Sequence, residues 1–215
     1  MTLIVHTMEQ GSPDWFAVRA GKPTASEFAT VLAKGEGKTR RTYLLKLAGE
    51  ILTGEPMESY QNSHMERGKE HEDAARDRYA LLHDAEPVRV GFLEDTDVRA
   101  GCSPDALLGS DGMLEIKSAA PHILCGYILK DDFPPEHKAQ CQGGLWISGR
   151  EWIDISIFWP RLPQFTKRAH RDEAYIANLA SEVRRFNDEL AETVERIRRY
   201  GAPPTKVPMN ILSAG

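Results

Sequence analysis

The sequence predicts an α/β fold, with a mixed central sheet flanked by helices in one domain. Three observations carry this. Helices come first, then three strand-like runs between 86 and 118, then a helix and a further strand, which is the layout of an α/β protein with a mixed sheet. The chain has 215 residues, enough for a sizeable core. Its 41% hydrophobic and 27% charged residues are the mix of a globular domain.

Each element follows from local pattern. Residues 11–19 (GSPDWFAVR) start a short helix, with Ser12 placed to cap it and Pro13 at its first position. Residues 24–33 form a second short helix, where Thr24 and Glu27 fit a capping box. GEGK at 35–38 reads as a loop, and 39–52 as an amphipathic helix stopped by Gly54 and Pro56. Residues 63–83 are a long helix carrying GKEHEDAARDRY. Strands are expected at 86–94, within 98–108 and at 113–118, the last two joined by a turn at 110–112 whose Asp-Gly pair signals a hairpin. Residues 135–147 read as a helix despite Gly143 and Gly144, and 151–159 (EWIDISIFW) as the best strand. From 172 to 200, apolar Ile176, Leu179, Val183, Phe186, Leu190, Val194 and Ile197 recur at spacings of three and four, which makes one amphipathic helix.

Composition excludes several classes. No apolar run approaches the ~18 residues of a membrane span, and the N-terminus has no basic segment followed by an apolar one, so a cytoplasmic protein without membrane contact is expected. Three cysteines without a CxxC suggest neither a disulfide framework nor a zinc site, and they read as buried small hydrophobes. The four tryptophans read as core, and His71, His122 and His137 as surface or core residues. The net charge of −5 argues against an all-over basic nucleic-acid coat. Local basic stretches at 34–41 and 161–171 still leave room for a nucleic-acid partner.

One stretch carries chemistry. In CSPDALLGSDGMLEIKSA, Asp105 and Glu115 are separated by nine residues, a gap that suits a hairpin and brings the two carboxylates together at a sheet edge. Strand side chains alternate faces, so Glu115 and Lys117 point the same way and Ile116 the other. A carboxylate and an ammonium so placed form a surface ion pair, or a metal ligand and a water activator. In the second reading Asp105, Glu115 and the Ile116 carbonyl offer hard oxygens to Mg²⁺, and Lys117 orients or deprotonates a water, chemistry that hydrolyses a phosphodiester.

SPDALLGSDGMLEIK resembles the motif of the PD-(D/E)xK nuclease superfamily. More narrowly, the chain resembles the lambda exonuclease (YqaJ-like) family of phage recombination nucleases. DWFAVRAGKPTASEF, MERGKEHEDAA, RAGCSPDA and HKAQCQGGLWISG agree with it in order, over about residues 11–160, with 161–215 as a C-terminal extension of the single domain. The resemblance implies a restriction-endonuclease-like core. It implies that Asp105, Glu115 and the Ile116 carbonyl hold two Mg²⁺ ions (Mn²⁺ as substitute), with Asp105 bridging. Glu72 would join them partly through water, with Glu70 the competing acid. Lys117 would activate the water, and Gln140 would contact that water or Lys117. Arg19, Ser26 and Ser103 would hold the 5′-phosphate of a DNA end, with Gln142 among the DNA-binding residues.

The activity implied is 5′-to-3′ digestion of one strand of linear double-stranded DNA to 5′-mononucleotides, which leaves 3′ tails for strand annealing. The partners implied are double-stranded DNA ends, a single-strand annealing protein and further copies of the chain in a ring-shaped trimer lined by the basic stretches. EIKSAA departs from one well-known relative in lacking a cysteine and proline after the lysine, and MERGKEHE in placing arginine before the glycine where that relative has tryptophan. A PD-(D/E)xK endonuclease and a non-catalytic DNA-end clamp are the competing readings. The second is disfavoured because Asp105, Glu115, Lys117 and Glu72 are all present.

Overall fold

The computed structural model describes residues 2–33, 38–57 and 63–201, with side chains in the last segment described from 71 onward. The side chain of Glu70 thus lies outside the described residues, as do 34–37 of the first basic stretch.

In chain order the elements are β1 (Leu3–His6), α1 (Pro13–Arg19), a 3-10 turn (Ala25–Glu27) leading into α2 (Phe28–Leu32), α3 (Lys38–Thr53), α4 (Ser63–His83), β2 (Pro87–Val88), β3 (Phe92–Asp95), β4 (Ala100–Cys102), β5 (Ala106–Leu108), β6 (Gly112–Ser118), α5 (Pro121–Lys130), a 3-10 turn (Pro135–His137), α6 (Lys138–Ser148), β7 (Trp152–Phe158), β8 (Phe165–His170) and α7 (Glu173–Arg198). Five strands form a sheet in the order β2-β5-β6-β7-β8, and three form a second sheet in the order β1-β3-β4. β6 and β7 run parallel while the other pairs of the larger sheet are antiparallel, so the sheet is mixed.

The expected strands 86–94 and 98–108 each divide, and the halves join different sheets. Two residues explain the divisions. At Gly91 an added Cβ would lie 2.2 Å from the Met8 carbonyl oxygen, because the segment after β1 crosses there. Pro104 has no N–H to continue a ladder, so the chain leaves one sheet before it and enters the other after it.

The larger sheet is covered on both faces. Met113, Ile153, Ile155 and Ile157 on one face pack with Phe28, Leu47, Leu145, Phe186 and Leu190 from α2, α3, α6 and α7. On the other face Tyr79 of α4 is buried with Ala106, Leu108 and Leu114. The alternation of β7 sends Asp154 and Ser156 to that second face, where both are buried. Asp154 is satisfied by the Tyr79 hydroxyl at 2.6 Å and by Arg168 at 2.8 and 2.9 Å, and Arg168 lies 3.5 Å over the Trp152 ring. The glycines of α6 have a packing reason: a Cβ on Gly143 would sit 2.3 Å from Phe28 Cδ2.

Ser12 caps α1 through Trp15 N, and α7 buries Ile176 through Val194. Ile197 departs from this stripe and is exposed. The capping box at Thr24 does not form: Thr24 Oγ1 bonds Ser26 Oγ at 3.2 Å, and Glu27 accepts from Thr30 at 3.0 Å. Cys102 and Cys141 are buried as expected, but Cys125 is exposed on α5. The stretch 161–171 is not a continuous cationic face, because β8 alternates. Lys167 and Arg168 point to opposite faces, and Lys167, Arg168 and Arg171 are paired with Asp131, Asp154 and Glu173. Arg40 is likewise paired with Glu189 at 2.7 Å. Among the described residues no helix is long and apolar enough to cross a membrane.

Candidate active site

β6 lies between β5 and β7, so the acidic pair stands at the end of an inner strand rather than at a sheet edge. β5 pairs with β6 only as far as Ala106↔Leu114, and Asp105 comes just beyond that pair. Its N–H donates to the Leu114 carbonyl at 3.0 Å, and its Oδ2 accepts from Ile116 N at 2.5 Å. The N–H and C=O of a strand residue face the same neighbour. The Ile116 carbonyl therefore lies on the Asp105 side, past the end of β5, where no strand pairs with it.

Glu115 and Lys117 share a face as expected. Lys117 Nζ is 2.8 Å from Glu115 Oε1, and Gln140 Nε2 of α6 donates to the same oxygen at 2.6 Å. Gln140 thus orients the carboxylate itself. Burial, then Glu115, then Glu72 push the Asp105 carboxyl well above the usual aspartate range. Burial tends to strip the proton from Lys117, but Glu115 and Asp105 more than offset this and raise its pKa. Its ammonium therefore stays charged at neutral pH. Burial, followed by the Lys117 charge, lowers the pKa of nearby His137.

Glu72 and Asp105 line one cavity of about 690 Å³, together with Gln10, Trp15, Asp73, Arg76 and Arg89. Arg76 donates to Glu72 and fixes it four residues away on α4. Gln10, which the sequence reading missed, donates to the Val90 and Pro104 carbonyls at 2.8 and 2.9 Å and so holds the approach to Asp105.

Beside this cavity Arg19 donates to Ser103 Oγ at 2.9 Å and lies 3.8 Å over the Trp15 ring. Trp15 Nε1 also donates to Ser103 Oγ, at 3.0 Å. Burial pulls the Arg19 pKa down to about 10, which leaves it charged at neutral pH. Among the described residues it forms no ion pair, so a desolvated guanidinium and a hydroxyl converge without an anion. Trp15 and Arg19 are four apart on α1, a spacing that places them on one helix face. Ser26 makes its side-chain bond to Thr24 instead of joining Arg19 and Ser103.

Gln142 requires a correction. It is buried, its Nε2 donates to the His170 carbonyl and its Oε1 accepts from Asp172 N, both at 2.8 Å. Residues two apart on a helix do not face the same way. Gln140 reaches Glu115, and Gln142 ties α6 to the β8–α7 junction instead of reaching DNA.

The donor set fits a hard divalent cation. Glu115 is paired with Lys117 and Glu72 with Arg76, while Asp105 accepts from Ile116 N and feels the like charge of Glu115 and Glu72. Among the described residues no three His, Cys, Asp or Glu side chains form a complete metal cluster. The groups that would hold such an ion are the Asp105 and Glu115 carboxylates and the Ile116 carbonyl.

The family model of the YqaJ-like viral recombinase domain matches residues 14–151. The alkaline exonuclease LHK-Exo from Laribacter hongkongensis is 34% identical, over 89% of this chain and 98% of its own, with a TM-score of 0.80. Its complex with dAMP gives 34% identity over the same shares of both chains and a TM-score of 0.82. A phage-related exonuclease from Haemophilus somnus 129PT, 14% identical over 80% of this chain and 96% of its own, shares the fold at a TM-score of 0.56. No curated protein matches. The family match and the 34% identity across nearly the whole chain lead to one assignment: this chain belongs to the YqaJ-like viral recombinase family.

Proposed function

We propose that this chain is a metal-dependent DNA exonuclease. It digests one strand of linear duplex from the 5′ end, releases 5′-mononucleotides and leaves 3′ tails for an annealing protein. The observation that carries the reading is the meeting of Asp105, Glu115 and Lys117 at the end of β6, beside a cavity that Glu72 also lines. The 34% identical relative, named an alkaline exonuclease and also solved in complex with dAMP, supports the reading.

Asp105, Glu115 and the Ile116 carbonyl would hold Mg²⁺, with Glu72 reaching a second ion through water. Bound there, the metal supplies positive charge to phosphoryl oxygens and acidifies a water. The residues of the chain do the rest. Lys117 orients the water by donating from its ammonium. Gln140 and Lys117 together keep Glu115 Oε1 in place. Arg19 and Ser103 anchor the terminal 5′-phosphate, which favours an exonuclease over an endonuclease. A ring-shaped trimer around the duplex is part of the same reading.

The test is a linear duplex labelled at the 5′ or the 3′ end, with Mg²⁺ or EDTA, wild type beside Lys117→Ala. Mg²⁺-dependent release of a 5′-labelled mononucleotide, lost in the variant, is expected. Release from neither end, with DNA still bound, would leave only a DNA-end clamp.

A further inference from the structure

We propose that Arg76 and Arg89 form a phosphate-binding site on the cavity wall, with Asp73 as the internal anion that holds it until a phosphate of the nucleic-acid strand takes its place. This rests on the nuclease reading and adds a contact to it.

Asp73 Oδ1 accepts hydrogen bonds from two guanidinium groups at once, one from Arg76 on the same helix and one from Arg89 between β2 and β3. All three residues line the cavity that holds Asp105 and Glu72. The Arg76 side chain is only 8% exposed, and its Nε is buried without a hydrogen-bond partner. Its terminal nitrogens bond Glu72 and Asp73, and of these two partners the exposed Asp73 is the one a phosphate can replace. The outer half of the cluster differs: Arg89 and Asp73 are 62% and 71% exposed.

These facts describe an exchangeable site. A solvent-exposed carboxylate paired with an exposed arginine is weakly held. A phosphate offers several oxygens to forked guanidinium donors, where Asp73 offers one to two arginines. The need is also present. A polyanion that enters a cavity lined by Glu9, Glu72 and Asp105 meets like charge, and Arg76 and Arg89 are the cations on that wall. Trp15 lines another part of the same cavity, with Arg19 over its ring and Ser103 bonded to its Nε1 just beside the cavity, so the strand would be held at two places with the acidic residues beside it.

The experiment measures binding of a labelled blunt duplex in EDTA over a salt series, by fluorescence anisotropy, so that no catalytic step enters. Arg89→Ala is expected to weaken binding several-fold and to reduce the slope of log affinity against log salt by about 0.9, the signature of one lost phosphate contact. Asp73→Ala removes the competing anion and is expected to tighten binding about threefold. Competition with dAMP separates two phosphate sources. If Arg89→Ala weakens dAMP as well, the site takes a terminal phosphate; if it weakens the duplex alone, an internal phosphodiester. An unchanged salt slope in Arg89→Ala, or weaker binding in Asp73→Ala at an unchanged melting temperature, overturns the site. The series is repeated with Ca²⁺ in place of EDTA, and a wild type that binds duplex in neither overturns the nuclease reading, and this site with it.

Discussion

Truncating Gln142 to alanine separates a structural role from DNA contact. The Gln142 amide is buried and bonds the His170 carbonyl and the Asp172 N–H, each at 2.8 Å. His170 ends β8, and Asp172 caps the 26-residue α7. The truncation strands one acceptor and one donor of the backbone. Each unpaired buried group costs about 1–3 kcal/mol. His170 is exposed, so water recovers part of this, and about 2–3 kcal/mol is the expected total. For a chain of this size each kcal/mol lowers the melting temperature by about 2–4 °C, which gives a fall of about 4–12 °C. Calorimetry reads this fall, and duplex binding well below the transition is expected to match wild type. An unchanged melting temperature with weakened duplex binding would refute the structural assignment and restore Gln142 to the DNA surface.

Gly143→Ala drives a methyl group to 2.3 Å from Phe28 Cδ2 in a fully packed region, and a loss of about 1–3 kcal/mol is expected in urea unfolding, partly recovered by adding Phe28→Leu. Gln140→Leu removes the 2.6 Å donor to Glu115, and metal binding followed by calorimetry with Mn²⁺ is expected to weaken about 10–100-fold while the melting temperature changes little. The Asp172 carboxyl is held below its ordinary pKa by the Lys138 ammonium and then by Tyr175 N. That depressed value contributes stability above the unfolded pKa of about 4, and the contribution is lost as pH falls through the folded value. Asp172→Asn keeps the helix cap, so melting temperatures scanned down to about pH 3 are expected to fall less steeply than in wild type.

The parts legible in the sequence are those whose information is local. The apolar spacing of α7 and the cap of α1 by Ser12 need only near neighbours, and both formed. The pairing of Asp105 with Glu115 follows from a short hairpin, and strand alternation put Lys117 beside Glu115. The failures involve partners far along the chain. β1 (Leu3–His6) is four residues long and owes its strand form to pairing with β3. The α5 segment buries only Leu124 and leaves Ile123 and Leu129 exposed, so it carries no amphipathic signature. β8 looks like a basic stretch because its cations alternate between faces and find acids elsewhere. The role of Gln142 depends on backbone groups 28 and 30 residues away, yet its two-residue offset from Gln140 on a helix already argued that the two amides do different work.

The bonds made by Gln10 have a consequence for how the molecule opens. Val90 and Pro104, the carbonyls it holds, stand where the chain passes between the two sheets. One side chain therefore clasps both passages. Gly91 N, bonded to His6, and Asp105 N, bonded to Leu114, lie on the same seam. If the clasp lets go, these amides become accessible to solvent together, as one unit of local unfolding distinct from the core strands. Their deuterium uptake is then a direct gauge of how firmly Asp105 is held, readable without substrate and without turnover.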